Sequence, residues 1–220
     1  MPRSDHRYGY EHRWGNWHYK AIEVDNNDDQ EFHRNTSCHY RYLHSCEDDE
    51  IILTLDGDDW LANENVLNIL NEVYSGDVWM TYGQYQNWPD GGGGIAQQIP
   101  EHVINNNSFR QYTWCSSHLR TFYAWLFKCI KLEDFKYNRE FMSMAWDMTI
   151  MFPMLEMAAH RSKFINEFLY IYNLSNPIND HKVNRNLQQT LDRYVRGMPK
   201  YQKLVYPVIT KKPIGLLIIA

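Results

Sequence analysis

A short apolar run closes on three acids: Ile51-Ile52-Leu53-Thr54-Leu55-Asp56-Gly57-Asp58-Asp59-Trp60. Carboxylates are hard oxygen donors, and two of them one residue apart can share a Mg2+ or Mn2+ that also grips phosphates. Asp56 and Asp58 are therefore candidate metal ligands, with the chemistry of a metal-bridged nucleotide diphosphate. Asp-Gly is also a common turn dipeptide that needs no metal, so the triplet alone fits two readings. Asp147 stands in the first turn of an expected helix, where the dipole favours the ionised carboxylate that a general base must be. Such acids also occur there for stability alone. His181, in the polar stretch Asn173 to His181, is a candidate third metal ligand, against the more frequent outcome of a solvated loop histidine. Arg185, Arg193 and Arg196 are basic residues available to phosphates.

These groups need elements to hold them. The unalternating run ending at Leu55 reads as a strand buried on both faces, as in parallel sheets. In open α/β sheets the ligand crevice lies beyond the carboxyl ends of the strands, which is where the acids fall. Residues 63–74 form an amphipathic helix with Asn63 as its cap. Val78 to Tyr82 is a second buried strand, and strand–helix–strand predicts a right-handed parallel unit. Trp88-Pro89-Asp90 and four glycines form a mobile surface loop with no phosphate-loop signature. Residues 118–127 mix basic and aromatic types, which fits a partly buried helix or an acceptor contact. A helix begins near Met144 with Ser143 as its cap, and Pro153 kinks or restarts it. Its methionines serve as core filler. Phe168 to Tyr172 is a late strand, and residues 187–195 a modest helix. Tyr19 to Val24 is a short strand, and Tyr40 to Cys46 ends a helix.

Composition bounds the function. A chain of 220 residues holds one substantial core, or one core with a small appendage. A formal charge of −5 without blocks of like charge gives no nucleic-acid surface. The four cysteines lack zinc-binding spacing and suit a reducing compartment. The opening residues lack the apolar core of a secretory signal, and no apolar stretch approaches the roughly 20 residues needed to span a bilayer. The expectation is a soluble cytoplasmic protein with no transmembrane segment, leaving room for peripheral membrane contact. The Asp-x-Asp is also similar to that of aspartyl-phosphate phosphatases, but Trp60 stands where those proteins place Thr or Val.

From about Tyr40 to Arg196 the chain resembles family 2 glycosyltransferases of the GT-A fold. The similar pieces are Asp48 to Ile52 running into Leu55 to Leu61, Thr81 to Tyr85, Ile99-Pro100, Ser108 to Arg110, His118 to Phe122, and Asp147 to Ala158. The resemblance implies a GT-A-like α/β fold, a mostly parallel Rossmann-type sheet flanked by helices. It implies inverting transfer of a sugar from a nucleotide-diphosphate donor to a glycan or other hydroxyl acceptor, assisted by Mn2+ or Mg2+. Asp56 and Asp58 match the metal and donor ligands, and Asp147 matches the catalytic base. His181 and Arg185 would lie near the diphosphate, Asp25 near the nucleotide, and Tyr85, His118 and Arg120 near the acceptor. The nucleotide-binding part is expected to be incomplete, with residues 1–39 a remnant and 40–210 the transferase domain. Residues 211–220 read as a hinge opening a truncated second domain. The alternative is a non-catalytic GT-A remnant that binds sugar or a partner protein.

Overall fold

The computed structural model describes residues 9–14, 17–22, 34–175, 185–206 and 216–219. Strands β1 (Gly9–Trp14), β2 (Trp17–Ile22), β3 (Ile51–Thr54), β4 (Trp60–Leu61), β5 (Met80–Trp88), β6 (Arg120–Tyr123), β9 (Ser162–Asn173) and β10 (Leu216–Ile219) form one sheet. Its order is β1-β2-β10-β3-β6-β5-β9-β4. A small hairpin, β7 (Lys136–Tyr137) with β8 (Glu140–Phe141), stands apart from it. The helices are α1 (Arg34–Ser45), α2 (Val66–Tyr74), α3 (Glu101–Asn105), α4 (Ala124–Lys128), α5 (Trp146–Ala158) and α6 (Arg185–Gly197).

The class is α/β as expected, but the sheet is mixed rather than mostly parallel. Parallel pairing is limited to β2–β10, β10–β3 and β5–β9. β6 is antiparallel to both of its neighbours, β3 and β5. This inserted strand has one large consequence. Thr54, the last residue of β3, pairs with Arg120, the first of β6. The start of β6 is therefore delivered to the carboxyl edge, where the acids lie. β3 and β5 remain parallel to each other across it, with α2 between them in sequence, so the expected strand–helix–strand unit forms without direct pairing.

Both faces of the sheet are covered, which explains the unbroken apolar run. Ile51 and Leu53 point to one core with Val66, Leu67, Leu70 and Tyr74 of α2, while Ile52 points to the other with α4 and α5. All four β3 residues are buried. Between the sheet strands, the hydroxyls of Tyr74, Thr81 and Thr121 satisfy one another at 2.9 and 2.6 Å. The α5 methionines, Met148, Met151, Met154 and Met157, are all buried core residues, as read from the sequence.

Several local expectations are corrected. α2 starts at Val66 rather than Asn63, because the Asn63 side chain is used in accepting the Asn65 amide at 2.9 Å. β5 starts at Met80, two residues later than read, since the Trp79 amide is directed to the Arg161 carbonyl. Residues 118–127 are not one helix: β6 runs straight into α4. α5 is not capped by Ser143; Ala145 occupies that position at φ 59°, and the helix continues unbroken through Pro153. The glycine loop is tied back on β5, with Gly94 N donating to Tyr85 O at 2.8 Å and Asn87 N to Gly92 O at 2.7 Å. A β-carbon on Gly94 would lie 2.3 Å from the Tyr85 ring, so the close approach requires glycine there. Leu216–Ile219 pairs in parallel with β2 on one side and β3 on the other.

Two resemblance-bearing pieces meet in the core. Arg110 and Glu156, both without side-chain exposure, form a two-pronged ion pair at 2.6 and 3.0 Å. Arg110 also donates to the Val195 carbonyl, and the Tyr201 amide donates to Glu156. This network fixes the long axis of α5, and with it the position of Asp147.

Candidate active site

Four chain segments converge at the carboxyl edge of β3. The first is the acidic turn itself, closed by a hydrogen bond from Asp59 N to Asp56 O at 3.0 Å. Of the two sequence readings of Asp56-Gly57-Asp58, the turn is what this bond shows. The second segment is His118 to Arg120, the third Asp147 on the first turn of α5, and the fourth Tyr170 to Asn173 on β9.

Tyr170 clamps the turn. Its hydroxyl accepts the Asp56 amide at 3.2 Å and donates to Asp59 Oδ2 at 2.5 Å. The Asn173 amide donates to the other Asp59 oxygen at 2.7 Å. Asp59 thus anchors the acidic turn to β9. Burial pushes the Asp59 carboxyl up to about 6, partly offset by the Tyr170 and Asn173 hydrogen bonds.

Arg120 supplies the positive charge. It is 2 % exposed, and its Nη1 lies 3.5 Å from Asp147 Oδ2. Its Nη2 lies 2.9 Å from His118 Nδ1 and 3.2 Å from Nε2. Guanidinium only donates, so the facing imidazole nitrogen must be the unprotonated one. Burial and the Arg120 charge both hold His118 well below the ordinary histidine range. His118 Nε2 is 4.0 Å from Asp56 Oδ2, but a neutral imidazole makes this a polar contact rather than an ion pair.

Asp56 retains 43 % side-chain exposure, yet it is crowded. Burial raises its proton affinity, Arg120 opposes this, and the charges of Asp147 and Asp58 raise it further. Asp56, Asp58 and Asp147 therefore share one electrostatic field although about ninety positions separate the first two from the third. An aromatic wall backs them: His118 stacks on Tyr170 at 4.4 Å, and Tyr85 meets His118 and Tyr172 at 5.6 and 5.5 Å.

Among the described residues no group of three or more His, Cys, Asp and Glu is arranged around one point. The chain would contribute Asp56 and Asp58, and Mg2+ is commonly held by one or two carboxylates with substrate phosphates and water completing its shell. A bound cation would offset the charges of Asp58 and Asp147 that raise the proton affinity of Asp56.

The fates of the other candidates differ. Asp25 and His181 lie outside the described residues. Arg185 is exposed at the start of α6 and makes no described contact with the carboxylates. Arg196 is occupied with Asp192 and the carbonyls of Arg110 and Tyr112, and the exposed Arg193 donates its Nε to the Gln189 carbonyl. His118 and Arg120 are buried behind the acids and act on the carboxylates, while Tyr85 lines the wall. Sequence reading missed Asp59, Tyr170 and Tyr172. The signal available was the i, i+2 spacing of two tyrosines on a strand, which places both on one face.

Fold and site together define an α/β protein with a cluster of carboxylates at the carboxyl edge of a mixed sheet. No protein-family model matches the chain, and no curated protein matches it. No helix among the described residues is long and apolar enough to cross a membrane.

Proposed function

We propose that the protein is an inverting glycosyltransferase of the GT-A type, moving a sugar from a nucleotide-diphosphate donor to a hydroxyl acceptor with a divalent metal. The observation that carries this reading is the chain of contacts from Asp56, just past β3, through His118 at 4.0 Å and Arg120 to Asp147 at the start of α5, 3.5 Å from the guanidinium. A donor-binding pair and a separate carboxylate within one field are what direct displacement requires.

In this reading Asp56 and Asp58 would hold the cation and, through it, the donor diphosphate. Bound Mn2+ or Mg2+ supplies Lewis-acid neutralisation of the departing diphosphate. Asp147 removes the acceptor hydroxyl proton as that oxygen attacks the anomeric carbon. The new carbon–oxygen bond forms on the face opposite the breaking bond, and the diphosphate leaves with the electron pair. Arg120 orients Asp147 and balances the charge of the crevice before the cation arrives. Tyr170 keeps the acidic turn in place.

The test is isothermal titration with UDP and GDP, with and without Mn2+. Metal-dependent binding that disappears in Asp58→Asn is the expected result. A folded chain that binds neither nucleotide would defeat the transferase reading and favour a sugar- or protein-binding remnant.

A further inference from the structure

The acidic turn continues directly into an exposed aromatic pair. Trp60 follows Asp59 and is 40 % exposed; Trp88, at the end of β5, is 52 % exposed. Their rings meet edge to face at 5.9 Å. Large apolar rings left open beside polar groups mark binding surfaces. This pair is also fixed to the crevice through the backbone. Trp88 is in register with Asn173, whose amide binds Asp59, and the Leu174 amide donates to the Trp88 carbonyl at 2.9 Å.

We propose that Trp60 and Trp88 form a platform for the sugar rings of a saccharide acceptor, a subsite leading into the carboxylate crevice. The proposal rests on the transferase reading and names the acceptor class for it. A pyranose ring has one apolar C–H face and a rim of hydroxyls, so it needs a flat aromatic surface beside short polar side chains. In the chain Trp88 stands between Asn87 and Asp90, at the start of a loop held by the Asn87–Gly92 and Gly91–Asn87 backbone bonds at 2.7 and 2.9 Å. Asp90 itself accepts the Gly92 amide at 2.9 Å, which further fixes the loop. A platform already in place loses little entropy when a ligand settles on it.

The experiment is isothermal titration of the full chain with chitotetraose, cellotetraose and maltotetraose, in parallel with UDP plus Mn2+ and with phosphatidylglycerol vesicles. At least one tetrasaccharide should bind, with affinity falling at least tenfold in Trp88→Ala and in Trp60→Ala and less in Trp88→Phe. Trp88→Ala should leave UDP binding unchanged, and Asp58→Asn should leave tetrasaccharide binding unchanged. UDP binding without tetrasaccharide binding would overturn the platform while sparing the donor site. Tetrasaccharide binding without nucleotide binding would uphold the platform and defeat the transferase reading. Vesicle binding lost in Trp88→Ala would overturn the proposal in favour of a membrane-facing pair.

Discussion

The Arg120 guanidinium lies 3.5 Å from the Asp147 carboxylate, joining the first residue of β6 to the first turn of α5. This pairing positions Asp147 without sealing it, since a third of the Asp147 side chain remains exposed (33 %). Asp147→Asn preserves shape and hydrogen bonding but cannot take a proton. Transfer should fall by about 10²–10⁴, the usual contribution of a positioned base, with UDP and Mn2+ affinity unchanged. Turnover and titration on the same preparation would separate the two effects, and unchanged transfer would remove Asp147 from the chemistry.

Arg120→Gln should change the pH dependence of donor binding. Burial raises the proton affinity of Asp56, and Arg120 is the group that restrains it. Without that charge Asp56 holds its proton to higher pH, and His118, relieved of its cationic neighbour, also gains proton affinity. Both changes set a proton against the metal. The acid limb of Mn2+-dependent UDP binding should therefore move to higher pH, and Arg120→Lys should move it less. An unmoved limb would show that Arg120 does not govern the Asp56 charge.

Asp59 should make stability fall as pH rises through the weakly acid range. Its carboxyl is raised from an ordinary 3.8 to about 6 in the fold, chiefly by burial. A raised folded value contributes stability that is full below about 3.8 and is lost as pH passes about 6, an effect of about 3 kcal/mol. Urea denaturation between pH 4 and pH 7 should show this slope in the parent chain. Asp59→Asn, which cannot titrate, should flatten it.

The Arg110–Glu156 pair predicts a stability effect far from the crevice. Arg110→Met leaves the Glu156 charge buried and unpaired, at a cost of about 3–5 kcal/mol. Adding Glu156→Leu removes that charge and should recover most of the loss. Denaturant midpoints of the single and double variants check the point, and equal midpoints would mean that the packing rather than the charge matters.

Much of the site was legible residue by residue, but its assembly was not. Asp56 and Asp58 are readable as a strand end, and Asp147 as a helix first turn, because each depends on a local pattern. Their meeting depends on the direction of β6, which no local pattern records. That strand begins with Arg120, 2 % exposed, just after His118, 8 % exposed. Polar residues at buried positions hid its apolar signature and suggested a helix. The caps failed for a related reason: Asn63 satisfies a nearby amide, and the left-handed Ala145 rather than a serine starts α5. Tyr170 sits on a strand read only from Phe168 to Tyr172 although it runs Ser162–Asn173, and its clamp on Asp59 spans 111 positions.

The crevice drawn from residues 56–59, 118–120, 147 and 170–173 has no existence in any smaller piece of the fold. A ligand that bridges these segments binds the native chain and finds nothing equivalent in the unfolded one. Occupancy at a hundredfold over the dissociation constant would therefore add about 2.7 kcal/mol to global stability. Melting temperature becomes a readout of the crevice: a true ligand raises it with concentration, whatever chemistry follows.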